Sequence, residues 1–461
     1  MNQKMQFFGK EAVVIGASIG GILAARTLAD FFEQVTIIER DTFPNPGEQR
    51  KGVPQGRHAH GLLASGLKIM EELFPGLKKE LSAQGGLEGS STGNVRWNMG
   101  QGYHIQFESE LMGMAISRPL LEANLRARLL ALPNVRAIPG CDALGLETTP
   151  DHSRVTGVRI LRRRDGSSVE VLKADLVVDS TGRGSRSPAW LEALNYERAP
   201  EEQVRVNSAY TTRLYHRDPH SLNGDRGIII GATRENRRVG VMLAQEGDRW
   251  IVTLGGYLGD SAPPDEAGFL AYARTLNAPE IYDIIKNAEA ISEPVQFKYP
   301  ASQRRHYELL TRFPKGYMVF GDAICSFNPI YGQGMSVSAQ EAMVLSACLR
   351  EGLDGLAQRF FKRAARVIDI PWGIAVGNDL RFPEVQGPRS GQTKFINWYI
   401  DRLHTVARFD KTVSLAFHRV TNLMAQPPSL MHPRIALRIL LGHLFPPRTV
   451  HSAAHESAQA A

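Results

Sequence analysis

Cysteine is scarce in this sequence, with three residues in 461, at positions 141, 325 and 348. An odd, widely spaced set offers neither a disulfide framework nor the paired spacing of a structural zinc site. Long apolar runs are missing as well, and without about 18 consecutive apolar residues no spanning helix is expected. Met1 to Lys10 lacks the apolar stretch of an export signal, so the expected location is the cytoplasm. Charge of one sign is in short supply: 54 basic residues against 47 acidic ones leave only +7. The densest basic run, Arg162-Arg163-Arg164, leads into Asp165-Gly166, a hairpin turn pair. It reads as a solvated strand end, and no nucleic-acid partner is expected. No Ser-His-Asp set or paired carboxylate stands out. His58 and His60 have the spacing of strand-borne ligands but lack partner ligands, so no metal is expected.

What remains is ordinary globular composition, 43% apolar and 22% charged, slightly rich in glycine. The length suits two to four domains, or one large domain with an insertion. The opening reads strand, glycine turn, helix, strand: Glu11–Ile15, Gly16–Gly21, Ile22–Phe32 and Gln34–Glu39. A helix is expected over Ala64–Leu73. Another starts at Ser117-Arg118-Pro119, with serine as cap and proline in the first turn, and runs to Leu130. Val155–Leu161 and Ser168–Leu172 form a hairpin, Asp175–Asp179 a buried strand, and residues 190 to 305 alternate as strands. A buried strand returns at Tyr317–Phe320, followed by a long helix over Gly334–Leu349.

Gly16-Ala17-Ser18-Ile19-Gly20-Gly21 fits a dinucleotide fingerprint. Gly16 makes the sharp turn, Gly21 lets the helix pack on the strand, and Ser18 stands where the second glycine usually lies. A pyrophosphate would rest on the helix N-terminus, at its free N–H groups and positive dipole end. Glu39, followed by Arg40, closes the second strand 18 residues beyond Gly21. An acid there accepts hydrogen bonds from ribose hydroxyls. Far downstream, Gly321-Asp322-Ala-Ile-Cys-Ser-Phe-Asn-Pro329-Ile-Tyr-Gly332-Gln333-Gly334-Met335 brings an aspartate to a strand end and then a Pro/Gly loop to a helix start. Asp322 suits sugar-like hydroxyls, and the N–H groups near Gly334 and Met335 suit a negative charge.

The 321–335 stretch resembles the FAD-dependent aromatic hydroxylase and epoxidase superfamily, with its glutathione-reductase-type FAD fold. So do Gly52-Val-Pro-Gln-Gly-Arg57-His58-Ala-His60-Gly61 and Asp179-Ser-Thr181-Gly182-Arg-Gly-Ser185-Arg186. Within that superfamily the wording is most similar to bacterial polyether-type olefin epoxidases, in motif order from about residue 11 to about 445. The resemblance implies an α/β fold: a Rossmann-like FAD-binding domain, an inserted antiparallel-sheet substrate domain and a helical C-terminal region. The FAD domain would comprise 1–75, 112–189 and 309–354. Residues 76–111 would be a substrate-side segment, 190–308 the substrate domain, 355–450 the helical region and 451–461 a disordered tail.

By the same resemblance Gly16, Ser18, Ile19, Gly20, Gly21, Glu39 and Arg40 would hold the ADP half of non-covalent FAD. Arg118, Thr181, Gly182, Gly321 and Asp322 would reach the rest of the cofactor. Pro329, Gly332, Gln333, Gly334, Met335, Arg57 and His58 would surround the flavin ring. One departure stands out. Aromatic hydroxylases of this superfamily usually carry Asp-Gly where this chain has Thr181-Gly182, and that acid links FAD to NAD(P)H. A separate flavin reductase therefore joins NADH and NADPH as an expected electron source. The implied activity is insertion of one oxygen atom from O2 into an apolar, olefinic natural-product substrate through a peroxyflavin, by epoxidation or hydroxylation. That chemistry needs orientation and exclusion of water more than a protein nucleophile. Tyr210, Tyr215, Trp250 and Tyr257 are expected as core of the insert more than as substrate contacts.

Three alternatives remain open at this point: a reductase of isoprenoid double bonds, a non-redox flavin-dependent cyclase and a flavin-dependent halogenase. The halogenase Trp-x-Trp signature is missing, the five tryptophans at 97, 190, 250, 372 and 398 all standing alone. Near the C-terminus, His432–Phe445 is basic and apolar. It is expected to cap a domain through its apolar face, with contact to a membrane surface as the alternative.

Overall fold

The computed structural model describes residues 7–164, 167–387 and 389–447. The Asp165-Gly166 turn and the tail 451–461 lie outside the described residues. The chain divides into two units, each gathered from three segments: 1–86, 116–206 and 299–375 in the first, and 87–115, 207–298 and 376–461 in the second. No helix among the described residues is long and apolar enough to cross a membrane.

The first unit is built on five parallel strands. In chain order they are β1 (Gly9–Ile15), β2 (Phe32–Ile38), β3 (Val135–Ile138), β4 (Leu176–Asp179) and β5 (Tyr317–Val319), arranged β5-β4-β1-β2-β3. Ala12–Ile15 and Leu176–Asp179 are buried along their whole length, which is why they read as unbroken apolar runs and not as alternating ones. Ile15 stands level with Ile38 on one side and Asp179 on the other, and Asp179 pairs with Val319. From β1 the chain moves to β2 on one side, while β4 lies on the other. The strand order therefore reverses at β1, and a crevice opens beyond its C-terminal end.

Helix α1 (Ile19–Leu28) follows β1 and ends four residues sooner than the hydrophobic pattern suggests. Asn134 explains the early stop. Its side-chain amide donates to the carbonyls of Ala29 (2.8 Å) and Phe32 (3.0 Å), tying the chain into a turn so that Phe32 opens β2. The helices α2 (Ala64–Leu73) and α3 (Arg118–Leu130) keep their expected bounds, and Ser117 Oγ accepts the N–H of Leu120 at the start of α3. The long helix α4 (Gly334–Leu349) packs against α1 and α2. A separate meander, Cys141–Thr148, Val155–Arg162 and Val169–Lys173, carries the basic run. There Arg162 is paired with Glu170 and Arg163 with Asp142, so ion pairs on a surface sheet account for it.

The second unit centres on antiparallel strands. Glu201–His216, from residue 209 on, pairs with Arg249–Gly256, which pairs with Arg238–Gln245, which pairs with Gly227–Ile230. Val95–Asn98 adds to Gly227–Ile230 in parallel. Trp250 and Tyr215 pack with Leu254, Phe269 and Ile281 in the core under this sheet. Tyr210 and Tyr257 are buried too.

The same unit buries three histidines in a row. His104 Nε2 lies 3.1 Å from His404 Nδ1, and His104 Nδ1 lies 3.4 Å from His418 Nε2. Nδ1 of His418 is buried without a hydrogen-bond partner. A bare lone pair there costs less than an orphaned N–H, so the favoured tautomers donate from His418 toward His404. Burial pulls His104 down to about 4 and the other two well below the ordinary histidine value, helped by Arg381 beside His404. Unfolded, all three take up protons near pH 6.5. Folding stability is therefore fully present above that pH and falls as pH drops from about 6.5 toward 4, by up to about 1.4 kcal/mol per histidine per pH unit. Urea denaturation at pH 7, 6 and 5 should show this loss, and His104→Asn should flatten it. Equal midpoints at pH 7 and 5 would contradict the assignment.

Candidate functional site

Three strand ends and two helix starts converge in the first unit. Gly16 leaves β1 with φ +98°, a left-handed conformation open to glycine, and a Cβ there would stand 2.7 Å from the carbonyl oxygen of Ser180. Gly21 is tighter still: its Cβ would fall 1.8 Å from the Gly16 carbonyl oxygen. Only hydrogen at both positions lets α1 begin directly over the end of β1. Ser18 flanks α1 without capping it through its side chain, and no acid occupies the first turn. Ile19 is buried beneath that turn. The helix start thus presents uncapped N–H groups and the positive end of its dipole.

The distant stretch arrives beside this turn. Gly20 and Gly321 both lie near the hydroxyls of Ser180 and Ser338. A Cβ on Gly182 would be 3.8 Å from Asp322 Cβ, and one on Gly334 would be 3.8 Å from Asp322 Oδ1. Residues 16–21, 180–182 and 321–334 therefore form one cluster, with Asp322 open to solvent at its centre. Protein walls around the cleft desolvate this carboxylate and push it upward, while Arg118 and Arg183 pull it back. Gly332 is left-handed (φ +64°) before α4, whose first turn again carries no acid and no cap from its flanking side chain. Gln333 and Met335 are buried, and Pro329 is exposed.

At the other end of the cleft Glu39 is buried and heavily engaged. It accepts the N–H of Ala17 (2.8 Å) and of Asp41 (3.1 Å). Arg50 Nη1 lies 2.6 Å from Glu39, and Arg50 Nη2 lies 2.9 Å from Glu122 on α3. An open hollow of about 290 Å³ adjoins this pair, lined among others by Arg50, Val53, Gly56, Arg118, Glu122 and Arg126. Arg40, by contrast, is exposed. Arg118 bridges the two ends. Its Nε is buried without a hydrogen-bond partner, its nearest acid, Glu122, being 3.9 Å away. Burial lowers its pKa against the pull of Glu122 and Asp322. A buried, under-bonded cation suits a bound anion, as do the uncapped starts of α1 and α4.

His58 is buried and Arg57 exposed. His60 Nδ1 bonds the carbonyl of His58 (2.8 Å) and so carries the proton, leaving Nε2 to face Arg118 Nη1 at 3.5 Å. Desolvation holds both rings neutral, His58 at about 4 and His60 at about 3. Thr181 is exposed, but its hydroxyl donates to Asp179 Oδ1 at 2.6 Å.

Four contributors escaped the motif reading: Arg50, Glu122, Arg183 and Glu341. Arg183 donates to the carbonyl of Ala301 and stacks 4.9 Å over Tyr299. Glu341, fully buried on α4, accepts the N–H of Gly321 at 2.8 Å and so holds the turn that presents Asp322. A lone acid amid the apolar residues of that helix was the available signal. Desolvation pushes Glu341 up to about 8, opposed by the Gly321 bond and assisted by Asp322. Between about pH 4.5 and 8 the folded chain then keeps a proton that the unfolded chain has lost. This residue alone makes stability fall as pH rises through that window, by about 1.4 kcal/mol per unit. Glu341→Gln should remove the loss, gaining on the native chain between pH 6 and 8 in urea titrations. A constant difference across that range would refute the protonated acid.

Among known proteins, Protein Rv3254 of Mycobacterium tuberculosis is 36% identical over 355 residues, covering 74% of this chain and 73% of that protein. A kynurenine 3-monooxygenase of Salinispora arenicola is 24% identical over 384 residues, covering 77% and 76%. No family model matches the chain. Similar solved structures include a flavoprotein/dehydrogenase from Cytophaga hutchinsonii (15% identity, 94% and 99% coverage, TM-score 0.67). The flavin-dependent brominase Bmp2 matches at 13% identity, 98% and 100% coverage and TM-score 0.65. PqsL of Pseudomonas aeruginosa, a probable FAD-dependent monooxygenase, matches at 16% identity, 81% and 98% coverage and TM-score 0.59. The α/β fold with its parallel and antiparallel sheets is the one these proteins share. The chain belongs to one family with Protein Rv3254.

Proposed function

We propose that this protein is an FAD-dependent oxygenase that inserts one atom of O2 into an apolar, olefinic natural-product substrate, by epoxidation or hydroxylation. The reading rests on one observation above others: residues 16–21, 180–182 and 321–334 meet around Asp322. Bound FAD would supply the redox chemistry and the activation of oxygen. The chain's own residues bind and orient it. The start of α1 and the under-bonded Arg118 take the pyrophosphate, Glu39 takes the adenosine ribose, and Asp322 takes the ribityl hydroxyls. The start of α4, at Gly334 and Met335, stabilises negative charge at the ring end. His58 and His60, both neutral near pH 7, are not imidazolium acids for a reacting group. His60 contributes by positioning Arg118, and both rings fill the cleft against water.

Reduced flavin delivered by a separate reductase suits the Thr181-Gly182 turn, where no carboxylate remains free for a nicotinamide donor. The work is that of a cytoplasmic enzyme of secondary metabolism.

The purified protein should be yellow and bind FAD. Supplied with reduced flavin and 18O2, it should place 18O in an alkene product. Arg118→Met and Asp322→Ala should each weaken FAD binding at least about tenfold, the effect of losing one charge-assisted contact, read by flavin fluorescence. A colourless protein that ignores FAD would sink the reading. Saturation of the alkene without oxygen would move it to the reductases, and halogenated product to the halogenases.

A further inference from the structure

Helix Pro433–Leu444 has two apolar sides. One is satisfied: Ile435 and Ile439 are buried, and Gly442 lets the helix close on Val406 of helix Gly391–Val406. The other is not. Leu437, Leu440, Leu441 and Leu444 recur at helical spacing, and together with Phe445 they are 48–75% exposed. Helix Gly391–Val406 adds exposed Phe395 and Trp398, stacked 5.7 Å apart. Single exposed leucines are ordinary, but a stripe of this length on packed helices is the mark of an interaction surface.

Charge decides what covers it. Between residues 391 and 447 the chain has seven Lys and Arg residues against two Asp residues, so this stretch of 57 holds +5 of the whole chain's +7. Pro433–Leu444 itself carries Arg434 and Arg438 and no acid, Arg438 being paired with Asp410 at 2.8 Å. The Arg402 guanidinium sits 3.8 Å over the Trp398 ring, an aromatic–cation pair suited to a polar–apolar boundary. A second copy docked face to face would bring these cations together at a cost. Residues 451–461 contain no leucine, isoleucine, valine, methionine, phenylalanine, tyrosine or tryptophan to place on that stripe.

We propose that helices Gly391–Val406 and Pro433–Leu444 rest on an anionic lipid surface, with the leucine stripe entering the acyl boundary and the arginines meeting the headgroups. At 12 residues Pro433–Leu444 lies in the surface plane and does not span it. Such contact would deliver lipophilic substrate, but it stands independently of the reaction proposed above.

Flotation of the full-length protein with phosphatidylglycerol/phosphatidylcholine vesicles tests the proposal. Roughly tenfold more protein should float than with phosphatidylcholine alone, and added salt should reduce the difference. The double variant Leu440→Glu/Leu444→Glu alters only exposed positions, so its melting temperature should hold while vesicle binding drops at least about tenfold. Wild-type protein left in the soluble fraction, or equal flotation of the variant, would overturn the proposal. So would a wild-type dimer by light scattering that the variant converts to monomer, which would assign the face to a second copy.

Discussion

The contact between Gly21 and the carbonyl oxygen of Gly16 is the constraint on which the site depends. No side chain of any size fits between them, so the helix can start directly at the end of the first strand. That placement directs an uncapped helix terminus into the crevice where the strand order reverses. The parallel register then brings Asp179 and Val319 level with Ile15, so the turns after β4 and β5 arrive at the same height. A cofactor site is thus a consequence of backbone geometry before any side chain contributes chemistry.

The side chains that do contribute are balanced charges in poor solvent. Burying an isolated carboxylate or guanidinium is costly, and here each has company. Glu39 and Glu122 share Arg50, Asp322 faces Arg118 and Arg183, and Glu341 escapes the cost by keeping its proton. Arg118 is the least satisfied member, with a buried Nε and only a distant acid. One under-bonded cation in such an array is suited to an anionic partner. Arg50 also engages the Glu39 carboxylate, so a ribose bound there would compete with a guanidinium.

Backbone-determined features were legible in the sequence. The glycine turn, the Ser117 cap, α2 and α4 could be placed because their signals are local: a missing Cβ, a hydroxyl at the right offset, an apolar period. The end of α1 was not, because the residue that stops it, Asn134, lies a hundred positions away. The ion network was hidden for the same reason. Arg50 is one arginine among many in a polar loop, and only the fold sets it between Glu39 and Glu122. Glu341 was half-legible, an acid out of place in an apolar helix, though its partner Gly321 was not. The face of Pro433–Leu444 shows the limit of periodicity. Its pattern gives apolar positions, and the fold alone decides that Ile435 turns in while Leu440 stays out.

The turn after β4 shows how hydrogen-bond inventory separates a structural acid from a functional one. Asp179 lies two residues before Thr181-Gly182 and could pass for the carboxylate the superfamily usually places there. Its capacity is spent, however. Oδ1 accepts the N–H and hydroxyl of Thr181, and Oδ2 accepts the hydroxyls of Ser185 and Ser187. A carboxylate offers about four acceptor positions, and four donors fill them. Tyr317 extends the network by bonding Ser187 from β5, so releasing Asp179 would loosen two adjacent strands. Asp179 thereby holds the turn that sets Gly182 beside Asp322. With that acid committed and no other at the turn, Thr181-Gly182 presents no free carboxylate to a bound molecule.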